Sequence, residues 1–546
     1  MEKYINKKFN EIKNIFKDKN LNFSTFIILF SLLNLIAYCY PIIKKYNNVY
    51  NNALITISFC FISFLTLITF FSLIFSKKTY KIIFPFIIIT NSAVLYFMIV
   101  YGINFDANML INTLETNYNE AIEFINLKLF LFIFLLGILP SILFYKKVNL
   151  KFEKYLKEKI LLIFSPLLII LAIISPFYLN EKSKLFLMAN QRFTSYVVPI
   201  NYTFATIEYS AIRLKSFINS KTLIKISDGA TIDEKFYNKN EKKNLIVFLL
   251  GESARAKNFS LNGYERDTNQ PLDIYKDDII SFKNFESCGT FTALSLTCTF
   301  SHLPRKEFDY AKSFKYESLI DIFNKVGFDV SWRSNNGKCK GVCDRVKNSL
   351  VKNFGDNVYD DLLNKSFKID FNRLNKKNNL IVLHGRGSHG PLYYNRYPAE
   401  FEKYSPACHN DIDKCKVQDV VNAYDNTIYY SSYLTKEIID ELKKRSDEFN
   451  IILIYMSDHG QSLGENGIFM HSAPFDTAPI EQKNPAFFIW LPNDFATTFN
   501  IDKQCLKNKI NEHLSQDNIF HSMLGIFKIN SKYYDKNLDI FNDCMK

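Results

Sequence analysis

Tryptophan is almost missing from this chain, with 2 residues in 546, and glycine and proline are sparse at 17 and 15. That little glycine and proline excludes a collagen-like fibre. No segment recurs at a fixed period, which excludes a solenoid or propeller array. Among the ten cysteines none are spaced Cys-x-x-Cys, so the usual zinc-ribbon pattern is missing. Basic residues outnumber acidic ones, 67 to 54, yet no basic–aromatic nucleic-acid motif accompanies them, and no nucleic-acid partner is expected. Charge itself is scarce in one stretch. Residues 22–179 are packed with Ile, Leu and Phe, while residues 180–546 carry most of the charge and turn residues. The apolar content excludes disorder, and its concentration in one half excludes a wholly soluble protein.

What is present begins with five apolar runs, Phe23–Ile43, Ala53–Phe75, Ile82–Ile103, Phe124–Tyr145 and Ile160–Leu179. Each is long enough for a bilayer core of about 30 Å, which needs about 20 helical residues. Lysines fix the orientation. Lys3, Lys7, Lys8, Lys13, Lys17 and Lys19 precede the first run. Lys77, Lys78 and Lys81 follow the second, and six more lie between Lys146 and Lys159 after the fourth. The opposite loops hold only Lys44 and Lys45, with none between Asn104 and Glu123. The positive-inside rule therefore places the N-terminus in the cytoplasm and, after five spans, everything beyond Leu179 outside. The first run is read as an anchor, not a cleaved signal, because four more follow.

Cysteine usage points the same way. Cys39 and Cys60 lie inside spans and read as apolar fillers, while the other eight begin at Cys288, in the half expected outside. They fall at short separations, Cys288 with Cys298, Cys339 with Cys343 and Cys408 with Cys415, then the looser Cys505 and Cys544, whose pairing stays open. An oxidising compartment and disulfides that stiffen loops are the expectation.

Three domains follow: a five-span membrane domain over residues 1–179, an amphipathic linker over 180–242, and a catalytic domain over 243–546. In the last, short apolar runs each end in polar clusters. Leu245–Leu250 precedes Gly-Glu-Ser, Phe328–Trp332 precedes Arg-Ser-Asn-Asn-Gly, Leu380–Leu383 precedes His-Gly, Ile451–Met456 precedes Ser-Asp-His-Gly, and Ala486–Leu491 precedes Pro. Helical patterns such as Tyr424–Arg445 separate them. Strands alternating with helices predict an α/β fold with a mostly parallel sheet and helices on both faces. Ligands bind beyond the C-terminal ends of such strands.

The polar clusters sit there. Glu252 follows the first run; a carboxylate at a strand end suits a metal, although a helix start also favours Glu. Thr290 and Thr292 lie between Cys288 and Cys298 at the start of a helical pattern, where a hydroxyl is either a nucleophile facing an anion site or an N-cap. His384-Gly-Arg-Gly-Ser-His389-Gly-Pro and Asp458-His459-Gly, continuing to His471, gather four of the eight histidines, with His409 near in sequence. Glu, Asp, His and a Thr oxygen form a donor set that suits tetrahedral zinc. Such a metal would lower the pKa of the Thr hydroxyl and neutralise charge on a phosphoryl group in flight.

Gly-Glu-Ser-Ala-Arg, Cys-Gly-Thr-Phe-Thr-Ala-Leu-Ser-Leu-Thr-Cys, Gly-Ser-His-Gly-Pro and Ser-Asp-His-Gly-Gln-Ser-Leu-Gly-Glu-Asn-Gly, in this order behind five apolar runs, resemble the lipid A phosphoethanolamine transferases. That family includes the mobile colistin-resistance enzymes, and its catalytic domain has the alkaline phosphatase/sulfatase fold. The resemblance implies Thr292, not Thr290, as nucleophile. It also implies Glu252, Asp458 and His459 as ligands of one firmly held Zn2+ together with Thr292, and His389 and His471 as contacts to the phosphoryl group or to a second zinc. Lys340 matches a donor-contacting lysine, and Asn112, Thr116 and Glu120 match a motif for the ethanolamine head group. The implied enzyme is a monomer in a bacterial inner membrane with a periplasmic catalytic domain. It moves phosphoethanolamine from phosphatidylethanolamine to lipid A or another envelope acceptor and so confers polymyxin resistance. Two departures stand out: Arg386 replaces an apolar residue of relatives, and Gly337 replaces a substrate-contacting Ser of some. A membrane-anchored sulfatase or phosphodiesterase and a glycerophosphate transferase are the alternative readings.

Overall fold

The computed structural model describes residues 19–46, 53–116, 121–178, 196–350 and 359–545. Lys3, Lys7, Lys8, Lys13 and Lys17, part of the orientation argument, lie outside the described residues. The chain divides into two compact units. One comprises Met1–Leu110 and Phe124–Glu208, the other Ile111–Glu123 and Tyr209–Lys546.

In the first unit, four helices among the described residues are long and apolar enough to cross a membrane: Phe23–Ile43, Ile57–Ile74, Tyr80–Val100 and Leu127–Lys147. A further helix, Tyr155–Tyr178, follows them. Two of the four widen into a π-turn, at Leu35–Cys39 and at Phe134–Ile138. Each widened turn stands just before a proline, Pro41 or Pro140. A proline has no N–H and its ring presses on the preceding turn, so the wider spiral relieves both defects. The unit packs through phenylalanines: Phe84 stacks on Phe144 with centroids 3.7 Å apart, and Phe30 lies 4.5 Å from Phe71. Three polar side chains inside pair with one another, as apolar surroundings favour, while the buried Ser31 and Ser63 hydroxyls have no partner among the described residues. Asn34 donates to the Val198 carbonyl at 2.5 Å and accepts from Asn91 at 2.7 Å, and Tyr202 donates to Asn91 at 2.9 Å. Large apolar side chains such as Leu33, Ile82 and Phe86 point outward and are exposed, an arrangement suited to lipid and not to water.

The second unit is built on a seven-stranded sheet. Its strands are β1 (Lys243–Gly251), β2 (Ile279–Phe282), β3 (Asp329–Ser334), β4 (Lys347–Leu350), β5 (Asn378–His384), β6 (Phe449–Ser457) and β7 (Phe487–Trp490). Their order is β2-β7-β6-β1-β5-β3-β4. The pairs β6–β1, β1–β5, β5–β3 and β3–β4 are parallel, and only β7 runs against the rest. The mostly parallel α/β sheet expected from the sequence is therefore present. Central strands are covered on both faces, so β6 is buried along its whole length and reads as an unbroken apolar run. The edge strands β2 and β4 gave no such run: β2 has four residues, and β4 (Lys-Asn-Ser-Leu) is polar and largely exposed.

Packing extends upstream of residue 243. Thr231–Ile232 pairs with Ile529–Asn530, and helix Glu234–Lys239, capped by Asp233, buries Tyr237, whose hydroxyl donates to the Phe527 carbonyl at 2.8 Å. Residues 200–220 form one helix, Ile200–Ser220. In the second unit its Tyr209 and Ile212 pack with Ile111, Phe291 and Ala293, which brings residue 111 next to the start of helix Thr292–Thr299.

Four disulfides are formed: Cys288–Cys298, Cys339–Cys343, Cys408–Cys415 and Cys505–Cys544. The last closes a separation of 39 residues against 4 for Cys339–Cys343. Chain entropy then assigns about 4 kcal/mol to the long loop and about 2 kcal/mol to the short one. Thermal melting of the full-length protein should show a larger drop for Cys505→Ser/Cys544→Ser than for Cys339→Ser/Cys343→Ser. Equal drops would show that loop closure does not set their contribution.

Candidate metal centre and nucleophile

The parallel register of β1 and β6 creates the site. Gly251 pairs with Ser457, so the next residues, Glu252 and Asp458, leave the sheet side by side. Both are fully buried, as is His459. A sharp turn follows Glu252. Ser253 takes φ +57°, a left-handed conformation uncommon for a side chain with a Cβ. The turn is held on every side. Ser253 N–H donates to Asp458 Oδ1 at 3.1 Å, Ala254 N–H to Ser457 Oγ at 2.8 Å, and Tyr424 donates its hydroxyl to the Ser253 carbonyl at 2.7 Å. Gly387 closes the far wall. A Cβ there would stand 2.8 Å from the Glu252 carbonyl oxygen, so no other residue fits without movement.

Glu252, Asp458 and His459 bring one ligand atom each within 4.8 Å of one another. His459 Nε2 is 3.1 Å from Glu252 Oε1 and 3.3 Å from Asp458 Oδ2. His459 Nδ1 is taken by the Gly460 carbonyl at 2.8 Å, so Nε2 is the atom that faces the cage. Asp458 Oδ2 is buried and accepts no hydrogen bond. An orphaned carboxylate oxygen beside a second carboxylate and an oriented imidazole is a donor set for a cation. In the metal-free protein, burial and the Glu252 charge push Asp458 up to about 7. Burial opposes a charged His459, but Asp458 and Glu252 outweigh it and push the imidazole up to about 9. Glu252 is held well below its ordinary value: burial favours its neutral form, and His459, His389 and His471 overcome that. A divalent cation would supply the positive charge that the His459 proton otherwise supplies.

Thr292 opens helix Thr292–Thr299. The N-cap position is Phe291, so Thr292 is not the cap. Its Oγ1 donates to Glu252 Oε2 at 3.0 Å and lies 3.5 Å from His459 Nε2. The neighbouring candidate differs. Thr290 Oγ1 donates to the Ala473 carbonyl at 2.6 Å, and its own carbonyl accepts from Ser472 N–H at 2.8 Å, so that hydroxyl is committed to the backbone.

The histidines sort themselves. The ring centroids of His471 lie 4.5 Å from His459 and 5.2 Å from His389. His389 Nδ1 lies 2.7 Å from the Gly390 carbonyl, and His471 Nδ1 lies 2.9 Å from Gln461 Oε1. Burial and then the charge of His459 and His389 hold His471 well below its ordinary value, which keeps it neutral. His384 ends β5 and contacts Ser334 and Asn336. His409 pairs instead with Glu402 and Tyr394, outside this cluster.

Lys340 sits at φ +52° inside the Cys339–Cys343 loop and donates Nζ to Glu115 at 3.2 Å. Asn112 lies on helix Ala107–Glu115, and Thr116 Oγ1 donates to the Asn112 carbonyl at 2.7 Å. Glu120 lies outside the described residues.

Two further residues act on the centre. Asn336 donates Nδ2 to Glu252 Oε2 at 2.7 Å; it belongs to the polar cluster after β3, so its neighbourhood was marked in the sequence. Gln516 carried no sequence signal. Fully buried, it donates Nε2 to the Asp458 carbonyl at 2.6 Å and accepts from Cys288 N–H at 2.7 Å, joining Asp458 to the loop that carries Thr292. Gln516→Leu leaves both backbone groups unpaired. It should lower metal affinity about 10- to 100-fold in a chelator competition titration. Unchanged affinity would show that the two loops are held by other means.

The family model described as "Phosphoethanolamine transferase EptA/EptB" matches residues 63–214, and that described as "Sulfatase" matches residues 244–529. The chain is 36% identical to "Phosphoethanolamine transferase EptA" of Salmonella typhimurium over 84% of each protein. It is 33% identical to "Phosphatidylethanolamine transferase Mcr-1" of Escherichia coli over 74% of this chain and 77% of that one. Among solved structures, the integral membrane lipooligosaccharide phosphoethanolamine transferase A of Neisseria meningitidis superposes with a TM-score of 0.88 at 31% identity. That superposition covers 97% of this chain and 100% of the other. With both family models met in chain order and identity sustained across both units, this membrane protein belongs to the lipid A phosphoethanolamine transferases, enzymes of the alkaline phosphatase/sulfatase superfamily.

Proposed function

We propose that this chain transfers phosphoethanolamine from phosphatidylethanolamine to lipid A or another envelope acceptor through a covalent adduct on Thr292. The observation that carries this is the position of Thr292 Oγ1, 3.0 Å from Glu252 Oε2 and 3.5 Å from His459 Nε2, within one buried cage. Glu252, Asp458 and His459 would hold a zinc ion. When bound, it supplies Lewis acidity that favours the Thr292 alkoxide and neutralises charge on the phosphoryl oxygens. A second zinc or the phosphoryl group itself would meet His389 and His471.

The chain's own groups perform the rest. Thr292 Oγ1 gives its proton toward Glu252 Oε2 and forms a bond to the donor phosphorus. The bond from phosphorus to the glyceryl oxygen breaks, and that oxygen takes up the proton given up by Thr292 and leaves as diacylglycerol. In the second half-reaction an acceptor hydroxyl attacks the same phosphorus, the bond from phosphorus to Thr292 Oγ1 breaks, and the acceptor's proton restores the Thr292 hydroxyl. His389 and His471 each have Nδ1 held, by the Gly390 carbonyl and by Gln461 Oε1, which orients the rings, and both would contact the transferring group. Asn112, Thr116 and Glu120 would pair with the ethanolamine ammonium, with Lys340 at the donor phosphate.

The proposed setting is a bacterial inner membrane crossed five times by residues 1–179, with the N-terminus cytoplasmic. A linker over 180–242 leads to a periplasmic catalytic domain over 243–546, acting as a monomer. Adding an amine to lipid A masks negative charge and weakens cationic peptides such as polymyxin. A relative at 24% identity, the "Kdo(2)-lipid A phosphoethanolamine 7''-transferase" of Escherichia coli, carries its acceptor in its name.

Mass spectrometry of protein incubated with phosphatidylethanolamine should find the added phosphoethanolamine on Thr292. Thr292→Ala should lose transfer by at least about 1000-fold, the scale of a missing covalent nucleophile. Thr290→Val should keep it, with a cost of about 1 kcal/mol in stability for the lost hydrogen bond. An adduct on Thr290, or an active Thr292→Ala, would overturn the assignment.

A further inference from the structure

The Ile111–Glu123 segment lies between two spans in the chain, yet it clusters with the catalytic unit. Two glutamates secure it there. Near one end, Glu115 takes Lys340 Nζ on its carboxylate at 3.2 Å and on its carbonyl at 3.0 Å, and Arg213 Nη1 lies 3.7 Å from its other oxygen. At the other end, Glu123 Oε2 accepts from Arg396 Nη2 at 2.5 Å, and Glu123 Oε1 lies 3.4 Å from Arg386 Nη2. The Arg396 side chain is 2% exposed and that of Glu123 12%, so this pair is shielded from water and salt.

Arg396 makes a second bond. Its Nε donates to the His389 carbonyl at 2.7 Å. One planar guanidinium therefore joins Glu123 to the backbone of His389, and its fork geometry lets neither partner shift alone. The chain just before His389 is fixed from the opposite side. Asp360 accepts from Arg386 N–H at 2.9 Å and from Gly387 N–H at 2.8 Å, and it also accepts from Asn335 Nδ2 at 2.9 Å. With that side clamped, a displacement at Glu123 is passed to His389 and not absorbed by the loop.

We infer that Glu123 is a positioning residue which, through Arg396, sets the His389 imidazole relative to the donor-bearing Ile111–Glu123 segment. Seating of that segment and alignment of His389 are then one event. Arg386, the departure from the family pattern, serves this staple and not acceptor recognition. The inference rests on the proposed function in two respects: it takes His389 as a contact of the phosphoryl group and the Ile111–Glu123 segment as the one that meets the donor.

The test is a double-mutant cycle in the full-length protein, reading turnover of phosphatidylethanolamine in vesicles. Glu123→Gln should lower kcat about tenfold while KM changes less than about twofold, because positioning and not uniform binding is lost. On a His389→Ala background the same substitution should have no further effect. Losses that multiply, or a Glu123→Gln protein as fast as its parent, would overturn the inference. Arg396→Lys keeps the charge and loses the fork; its cycle with His389→Ala should give the same non-additivity, and covers a Glu123→Gln chain that fails to fold. Hydrogen exchange reads the staple with no donor present. Glu123→Gln should speed exchange across residues 386–396 by about tenfold or more and leave helix Thr292–Thr299 unchanged. Unchanged exchange across 386–396 would also overturn it, whereas a parent inactive on phosphatidylethanolamine with faster exchange in the variant would sink only the donor assignment.

Discussion

Two carboxylates and one imidazole, all fully buried, face each other at the ends of neighbouring parallel strands. Burying like charges is among the costliest things a fold can do, and it persists only where the surroundings over-determine it. Much of the catalytic unit serves that end. Ser253 holds a left-handed turn because Asp458, Ser457 and Tyr424 each bond to it. Gly387 leaves room where a methyl group would collide with the Glu252 backbone. Asn336 donates to one Glu252 oxygen and Thr292 to the same one, so the Thr292 hydroxyl is placed by the same carboxylate that faces the cage.

Around this centre the loops are fixed by long-range bonds more than by local structure. Gln516 joins Asp458 to the loop that carries Thr292, Arg305 donates to the Cys288 carbonyl at 3.0 Å, and the Cys288–Cys298 disulfide brackets Thr292. Phe291, just before the nucleophile, is buried against a cluster that contains Ile111. Ile111, Glu115 and Glu123, which lie between the third and fourth apolar helices, are thus part of the catalytic unit in packing or in charge pairing.

The sequence displayed the central sheet because β1, β5 and β6 are buried on both faces and so are written as unbroken apolar runs before polar clusters. It displayed the candidate ligands because Glu252 and Asp458-His459 stand directly after those runs. It did not display β2, which is only four residues long, or β4, whose exposed edge position demands little apolar character. From residues alone Thr290 and Thr292 were equivalent hydroxyls, and only the resemblance separated them. Structurally they part through Ala473, whose carbonyl takes the Thr290 hydroxyl from 183 residues away. Gln516, Arg396 and Glu123 were illegible for the same reason. Each has a partner hundreds of positions distant, Cys288 for Gln516 and one another for Arg396 and Glu123, and no periodicity or motif encodes such a contact. The proline-linked π-turns were equally hidden, because hydropathy registers length and apolarity but not the path of the helix.

The central claim is that the Glu252–Asp458–His459 cage exists to hold a divalent cation against Thr292. Anomalous diffraction at the zinc edge, from crystals of the full-length protein purified without chelator, tests it most directly. The account predicts a peak bonded to Asp458 Oδ2, His459 Nε2 and Glu252 at about 2.0–2.2 Å, the distances of zinc to carboxylate oxygen and imidazole nitrogen. A metal-replete crystal with no peak in this cage, or with its zinc bound elsewhere, would contradict it.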